Sequence, residues 1–332
     1  MQSSLVGNGA QRQNQDRILE RDGAVPKTQE QDQSPAAYSP LIAPSGLWPI
    51  DKLFIAYIAV TGFLLAFTVK HHSSAWLFLA GHVAAIVLIL VLRNLVLRRY
   101  SGRWALVARH WYALAYVPFC YKEVPYIVSS LGLPSVDLTL ARWDFAMWKT
   151  DPVFWPDALQ NPLLTEFLQL VYFMFIPSVI ILGFLYWYQR SSQEFRYCTF
   201  IVAATFLISY LGYIILPARG PRFMDYASHH PALQGLWAFR FFQGTLDSLE
   251  GVQYDCFPSG HVAVMIVCSY AARKLSSPIF WLLCIFAALI AFSTIYLRYH
   301  YMIDVLAGAL LAVLVITFSP SIYRMLGGSA RQ

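Results

Sequence analysis

The chain has 332 residues, of which 58% are hydrophobic and only 13% are charged, and its mean hydropathy is +0.50. A soluble domain carries about 25% charged residues, so this composition excludes an ordinary soluble protein and indicates helices that cross a bilayer. The net charge of +6 requires no nucleic acid partner, because basic residues in short loops are the usual topology signal of membrane proteins.

Residues 1–48 are polar, rich in Gln, Ser, Asp and Arg, and show no apolar periodicity. Such a stretch cannot bury enough apolar surface to offset its chain entropy, so it is predicted to be a disordered cytoplasmic tail. It contains no apolar core followed by a small-residue cleavage site, and we therefore expect no cleaved signal peptide.

Apolar segments of helical length fill most of the remaining chain. The pattern predicts an all-α fold, a polytopic transmembrane helical bundle with about eight spans. Charged residues and a proline interrupt the third segment, and the sixth is short for a span. The eight segments are 52–69, 75–97, 105–131, 163–188, 197–217, 260–273, 278–297 and 301–318.

The chain is thus expected to have five parts. The first 48 residues form the tail, and residues 49–131 form N-terminal transmembrane helices. Residues 132–162 are an extracytoplasmic connection rich in aspartate and aromatic residues. Residues 163–320 are a transmembrane core, and residues 321–332 are a C-terminal tail.

Basic residues favour one orientation in the membrane. An even number of spans places both termini on one side, and the basic loops and tail on that side are expected in the cytoplasm. The long connections, 132–162 and 218–259, then face the periplasm or a lumen. The basic residues concerned are Arg98, Arg99, Arg103, Arg190, Arg196, Arg273, Lys274, Arg324 and Arg331.

The long connections are expected to be functional, because structureless connections of this length are otherwise uncommon. The first contains Asp137, Asp144, Asp151 and Asp157. These aspartates are predicted mainly to cap short helices, and binding of a polyol is the alternative.

The cysteines do not form a metal-binding or disulfide pattern. They are Cys120, Cys198, Cys256, Cys268 and Cys284, and none forms a Cys-x-x-Cys pair. Four lie in apolar segments, where a thiol behaves as a small hydrophobic group. We expect no metal site and no cofactor.

Near the end of the chain, His300 and Asp304 are four residues apart, which places them on one face of a helix. A carboxylate there can accept the proton of one imidazole nitrogen and leave the other nitrogen as a nucleophile. A structural pair at a helix start is the alternative for an isolated motif of this kind.

A second histidine, His261, follows Pro258, Ser259 and Gly260. A Ser-Gly pair at a helix N-terminus presents backbone N–H groups and the positive end of the helix dipole, which suits phosphate. His261 could then act as a general acid. A surface turn with a serine N-cap is the alternative.

Arginines precede both histidine motifs. Arg219 and Arg222 are separated by Gly-Pro in a predicted turn, which can aim two guanidinium groups at one anion. Arg298 lies two residues before His300 and is a third candidate. Interfacial arginines that contact lipid headgroups are the alternative.

The order of these motifs resembles the type 2 phosphatidic acid phosphatase (PAP2) superfamily, which also includes vanadium haloperoxidases. Its motifs read Lys-x6-Arg-Pro, Pro-Ser-Gly-His and Ser-Arg-x5-His-x3-Asp. The resemblance covers about residues 160–320 and implies a six-helix catalytic core. The catalytic His261, His300 and Asp304 match fully. Gly212 and Ile215 stand where the family lysine would lie, and Thr294 stands for an arginine.

The chain also resembles the branch that contains inositol phosphorylceramide synthases. His300 and Tyr301 followed by Asp304 fit its His-Tyr-x-x-Asp motif, and Pro162 to Glu166 and Tyr172 fit a segment before a span. The stretch from Asp137 to Trp148 fits an upstream aspartate and aromatic segment of that branch.

The resemblance implies a lipid phosphotransferase that works through a phosphohistidine on His300. It assigns leaving-group protonation to His261 and phosphate binding to Arg219, Arg222, Arg298, Ser259 and Gly260. Transfer of an inositol-phosphate-like headgroup between lipids is expected, with the extracytoplasmic face as the location of the site. A phosphatase acting on phosphatidic acid or polyprenyl phosphate is the alternative. A lipid transporter or flippase is a more distant one, disfavoured because no inverted repeat is seen.

The partners implied are therefore a phospholipid or lipid phosphate substrate and the bilayer itself. No nucleic acid partner is expected. A soluble haloperoxidase is disfavoured by the apolar segments, and the sequence leaves the oligomeric state open.

Overall fold

The computed structural model describes residues 46–68, 75–97, 103–225, 229–250 and 254–329. The predicted polar tail lies almost entirely outside the described residues, and so do Arg98, Arg99 and Arg331. All eight apolar segments correspond to helices, and no β-strand occurs in the part of the chain that the structure describes. The prediction of an all-α fold is confirmed.

The described α-helices are numbered α1 to α11 in chain order. Two short 3-10 helices, Pro152–Leu159 and Pro221–Phe223, lie in the long connections. The α-helices are α1 (Pro49–Thr68), α2 (Ala75–Leu97), α3 (Arg103–Leu131), α4 (Asp137–Trp148), α5 (Pro162–Phe173), α6 (Phe175–Gln189), α7 (Ser192–Ile215), α8 (Phe239–Glu250), α9 (Gly260–Ala272), α10 (Ser277–Tyr296) and α11 (Met302–Met325).

Five of these helices are long and apolar enough to cross a membrane: α1, α2, α7, α10 and α11. Helices α5 and α6 meet at a bend of 44°, and if they form one broken span the number is six. The remaining two predicted segments are α3, which carries several charged residues, and α9, which has 13 residues. Length and hydropathy therefore support fewer spans than the eight apolar segments suggested.

Two charged residues of helix α3, Arg109 and Glu123, are paired with buried side chains of neighbouring helices. Arg109 bonds with both carboxylate oxygens of Asp51 on α1, and its Nη1 lies 2.6 Å from Oδ1. Glu123 lies 2.7 Å from the Nε2 atom of His82 on α2. All four residues are buried. Since a buried charge is costly without a partner, these pairs explain how an apolar bundle accommodates a helix of this composition.

Helix α7 is the buried centre of the bundle, with 15 of its 24 residues buried. Near its C-terminal end α7 packs closely on the segment before α9, and the start of α9 packs closely on α11. A Cβ on Gly308 of α11 would lie 2.4 Å from the Ser259 carbonyl oxygen, and one on Gly212 of α7 would lie 2.4 Å from Pro258 Cδ. Glycine at these two positions lets the three helix ends converge at one place.

Candidate active site

His300 and Asp304 lie close together and both are buried. Asp304 is in the first turn of α11, whereas His300 precedes the N-cap Tyr301, so the two do not share a helix face as their spacing predicted. The Nδ1 atom of His300 lies 2.8 Å from the carbonyl oxygen of Cys256 and 3.5 Å from Oδ2 of Asp304. A carbonyl oxygen can only accept, so Nδ1 carries the proton and Nε2 keeps its lone pair. The backbone carbonyl of Cys256, rather than Asp304, is therefore the nearer acceptor for the Nδ1–H group of His300.

The side chain of Cys256 is the third member of this group. Its Sγ donates to Asp304 Oδ2 at 2.7 Å and lies 3.6 Å from His300 Nδ1. Burial, and then the negative charge of Asp304, raise the pKa of the Cys256 thiol well above its usual value, so the thiol stays protonated and can donate. Sequence analysis missed this role, although the position of Cys256 just before the Pro-Ser-Gly-His motif was a signal.

These three side chains are also the ones that could meet around a metal ion. One ligand atom from each of Cys256, His300 and Asp304 lies within 4.8 Å of the others. The same atoms are joined by hydrogen bonds to one another, and Asp304 Oδ2 also accepts from the Tyr301 N–H at 2.8 Å.

The Pro-Ser-Gly-His motif forms the N-terminus of α9. Ser259 is the N-cap, and its Oγ accepts from the N–H of Val262 at 3.5 Å. The Ser259 N–H donates to the Asp304 carbonyl oxygen at 3.0 Å, which ties the two histidine motifs together. Gly260 is required because a Cβ there would lie 2.4 Å from the Tyr213 hydroxyl.

His261 faces His300 across the site. Their ring centroids are 5.7 Å apart, and the rings of Tyr172 and Phe175 each lie 4.5 Å from the His261 ring. The Nδ1 atom of His261 has no hydrogen-bond partner among the described residues. This arrangement is compatible with a substrate oxygen as its partner.

The arginine turn is held by Asp137 of α4. The carboxylate of Asp137 accepts from the N–H groups of Arg219 at 2.9 Å and Gly220 at 2.8 Å, and from the Tyr301 hydroxyl at 3.1 Å. Gly220 has φ of +97° and a Cβ there would lie 2.5 Å from the Tyr299 carbonyl oxygen. Only glycine fits that combination.

The two arginines of the turn lie against aromatic rings. The Arg222 guanidinium carbon lies 4.6 Å from the ring centroid of Tyr299, which precedes His300, and 4.5 Å from that of Phe223. Its backbone N–H donates to the Arg298 carbonyl oxygen at 3.0 Å. The Arg219 guanidinium lies 5.1 Å from the Phe223 ring centroid, and its Nε has no partner among the described residues.

Arg298 is already paired with the 3-10 helix Pro152–Leu159. Its Nη2 lies 3.0 Å from Asp157 Oδ1 and 3.0 Å from the Pro231 carbonyl oxygen. Asp157 also lies 2.9 Å from Nδ1 of His230, whose ring stacks on Phe154. The side chain of Arg298 therefore connects the site to both long connections.

Asp144 holds the N-terminus of the helix that carries Asp304. Its carboxylate accepts from the N–H groups of Met302 at 2.7 Å and Ile303 at 2.8 Å. Burial raises the pKa of Asp144 to about 6, although the two hydrogen bonds oppose that rise. Asp144 thus caps a long helix and Asp151 caps the 3-10 helix Pro152–Leu159. Asp157 instead pairs with side chains.

The departures from the family motifs have physical reasons. Gly212 packs on Pro258 with no space for a side chain, as described above. Ile215 is 72% exposed and points away from the interior. Thr294 is buried, and its carbonyl oxygen accepts from the N–H groups of Tyr299 at 2.9 Å and His300 at 3.1 Å. Among the described residues, the arginines beside the site are therefore Arg219, Arg222 and Arg298.

Comparison with known proteins identifies the family of the chain. A family model described as the PAP2 superfamily matches residues 146–318, just over half of the 332 residues. The chain is 26% identical over 212 residues to a PA-phosphatase related-family protein of Dictyostelium discoideum, a match that covers 51% of this chain and 38% of that protein. The chain thus matches less than half of that relative's length, and no solved structure matches it. The chain belongs to the PAP2 superfamily.

Proposed function

We propose that this protein cleaves a phosphate ester of a membrane lipid by nucleophilic displacement at His300. The observation that carries the proposal is the 2.8 Å contact between His300 Nδ1 and the Cys256 carbonyl oxygen. It keeps the proton on Nδ1 and the lone pair on Nε2, which is the state that a nucleophilic imidazole requires.

In the first step, His300 Nε2 attacks phosphorus and the bond from phosphorus to the lipid oxygen breaks. His261, which this step requires in its protonated form, gives its proton to that departing oxygen and becomes neutral, and a phosphohistidine remains. In the second step, an acceptor hydroxyl attacks the same phosphorus as the phosphorus–nitrogen bond breaks. His261 then takes the proton of the acceptor and returns to its starting state.

Charge on the transferred group is stabilised by the arginines and by the start of α9. The guanidinium groups of Arg219, Arg222 and Arg298 are assigned to the phosphoryl oxygens, as are the amides near Ser259 and Gly260. Asp304 compensates the positive charge that His300 gains when it becomes phosphorylated. In this assignment the site faces the extracytoplasmic side and both termini are cytoplasmic.

The acceptor hydroxyl determines whether the reaction is transfer to a second lipid or hydrolysis. We propose transfer of a phospho-headgroup, of the inositol-phosphate kind, to the hydroxyl of a second lipid. The motif resemblance to the inositol phosphorylceramide synthase branch supports this. Hydrolysis with water as acceptor is the second candidate, favoured by the PA-phosphatase related name of the Dictyostelium relative.

The experiment uses the full chain purified in detergent, with phosphatidic acid or phosphatidylinositol as donor and with or without a ceramide-like acceptor. Diacylglycerol, new phospholipid and the released phosphate are measured together; the released phosphate is inorganic phosphate from phosphatidic acid and inositol phosphate from phosphatidylinositol. A new phospholipid that appears only with acceptor supports transfer, whereas phosphate release that is independent of acceptor supports hydrolysis. Absence of both products would overturn the proposal.

Variants then test the chemistry. With radiolabelled donor, an acid-labile protein adduct should form in the wild-type protein and be absent in His300→Ala. His261→Ala should lower turnover by about 100-fold or more, as expected for a lost general acid. Full turnover by His300→Ala would exclude this mechanism, and lipid movement between leaflets without any product would favour a flippase.

A further inference from the structure

A cavity of about 830 Å³ lies between the end of α6, the start of α7 and the end of α9. Its lining includes Arg273 and Lys274, together with Ser191, Gln193, Tyr197 and Tyr270. Helix α9 starts at the active site and runs 13 residues to this cavity, which is about 20 Å at 1.5 Å per residue. The cavity is therefore at the opposite end of the bundle from His261 and His300.

The cavity presents more positive than negative charge. Arg273 and Lys274 are both exposed, and the Arg273 guanidinium lies 4.3 Å from the Tyr270 ring centroid. The carboxylate in the lining, Glu194, is already used at the start of α7, where it accepts from the N–H of Ser191 at 3.4 Å. An anion entering the cavity would therefore meet two cations and several polar groups.

A second basic group adjoins this cavity. Arg190 donates to the Leu275 carbonyl oxygen at 3.5 Å, next to Lys274 in the chain. Its Nε atom is buried and has no hydrogen-bond partner among the described residues. Arg190 does not line the cavity, but it directly precedes Ser191 of the lining and adds positive charge beside it.

An apolar groove of about 510 Å³ lies next to this cavity. It lies between α9, α10 and α11, is lined by small apolar residues such as Ala287, Ala288 and Ala291, and shares Tyr270 and Arg273 with the cavity. A cavity that carries two cations, beside an apolar groove with which it shares two lining residues, matches the charged headgroup and an acyl chain of one phospholipid molecule.

We propose that the cavity and the groove together form a binding site for an anionic phospholipid, distinct from the catalytic site. The phosphate of the headgroup lies beside Arg273 and Lys274, and one acyl chain lies in the groove. The groove supports an intact lipid over a free phosphate ester as the ligand, because a soluble ester would leave the apolar half of the site empty.

The test uses the full chain purified in detergent and incubated with equal amounts of phosphatidylglycerol and phosphatidylcholine that have identical acyl chains. Native mass spectrometry gives the ratio of the two lipids retained. The wild-type protein should prefer phosphatidylglycerol, and Arg273→Gln with Lys274→Gln should lower the ratio by about fivefold for each basic side chain removed. The single Lys274→Gln variant, at an exposed position, gives the same test with little risk to folding.

Arg324→Gln is the matched control, because Arg324 is near the end of α11 at the same end of the bundle but does not line the cavity. It should leave the ratio unchanged. Ala288→Trp fills the groove and should reduce retention of both lipids. Glycerol phosphate, a headgroup without chains, should not displace the retained lipid.

Three results would overturn the proposal. The first is an unchanged lipid ratio in both the single and double glutamine variants. The second is an equal fall in Arg324→Gln, which would indicate general surface charge. The third is full displacement by glycerol phosphate at a concentration equal to that of the lipid, which would make the site one for soluble phosphate esters.

Discussion

The thiol of Cys256 donates a hydrogen bond to Asp304 Oδ2 at 2.7 Å, while the carbonyl oxygen of the same cysteine accepts from His300 Nδ1 at 2.8 Å. One residue from the loop before α9 thus contacts both members of the proposed nucleophilic pair. Asp304 also accepts from the Tyr301 N–H, so its orientation depends on both α11 and this loop. Cys256 is a positioning residue in this arrangement.

Replacing Cys256 tests that relationship. Cys256→Ala removes one of the donors to a buried carboxylate, and we expect kcat to fall by about tenfold with KM unchanged, in keeping with the loss of one hydrogen bond to a charged group. Cys256→Ser keeps a donor and should restore most of the activity. The measurement is steady-state turnover of a lipid phosphate ester. Equal losses in both variants would indicate that packing matters and the hydrogen bond does not.

The His300 and Asp304 pair shows what the sequence could and could not predict. Their four-residue spacing predicted one shared helix face, but only Asp304 lies in α11, and His300 precedes the N-cap Tyr301. The closest partner of His300 Nδ1 is nevertheless the Cys256 carbonyl oxygen, 44 residues earlier in the chain. Such a contact depends on how two helix ends meet and has no local sequence signal.

The aspartates of the first connection show the same limit. Their tendency to cap backbone ends was predictable from residue type, because short carboxylates accept readily from backbone N–H groups. Their partners were not predictable, since Asp137 holds the Arg219 turn and Asp144 holds the start of α11. Both partners are distant in the chain, and only the three-dimensional packing brings them together.

The pKa of Asp144 leads to a prediction about stability and pH. Burial raises it to about 6 in the folded protein, above about 3.9 for an unfolded chain. The folded state therefore holds this proton more tightly, and the stability that the proton contributes is present below pH 4 and lost as pH rises to about 6. We expect Asp144→Asn to abolish that part of the pH dependence.

The measurement is the thermal midpoint of the detergent-solubilised wild-type and Asp144→Asn proteins across pH 4 to 7. The difference between the two curves isolates this carboxyl from other groups. Asp225, an exposed carboxylate, provides a control through Asp225→Asn. A constant difference between the wild-type and Asp144→Asn curves over that range would contradict the assignment.

In the proposed mechanism, Asp157 and the substrate phosphate compete for Arg298. Its Oδ1 lies 3.0 Å from Arg298 Nη2, so a phosphate that binds Arg298 must share or displace this carboxylate. We expect Asp157→Asn to lower KM by up to about fivefold with kcat nearly unchanged, because a partly exposed ion pair of this kind is worth up to about 1 kcal/mol.

The comparison variant is Arg298→Gln, which should raise KM because a phosphate ligand is lost. Steady-state kinetics with one donor lipid measures both variants. A raised KM in Asp157→Asn would show instead that the ion pair serves to hold the 3-10 helix Pro152–Leu159 in place. The two variants therefore show whether Asp157 competes with phosphate for Arg298 or holds the 3-10 helix in place.

Gly308 sets the distance between α11 and the start of α9. A Cβ at this position would lie 2.4 Å from the Ser259 carbonyl oxygen, and a backbone atom cannot move aside as a flexible side chain can. Gly308→Ala should therefore push the Pro-Ser-Gly-His motif away from His300. We expect a loss of about 1–3 kcal/mol in unfolding free energy, typical of overpacking, and a fall in kcat larger than any change in KM.

Gly244 on α8 is the matched control, because nothing lies within 4 Å of a Cβ built there. Gly244→Ala in a helix should be neutral or slightly stabilising, since alanine restricts the unfolded chain. Thermal unfolding and turnover of both variants are measured in the same detergent. If Gly308→Ala retained full turnover and thermal stability, the close approach of Gly308 to Ser259 would not be what holds His261 opposite His300.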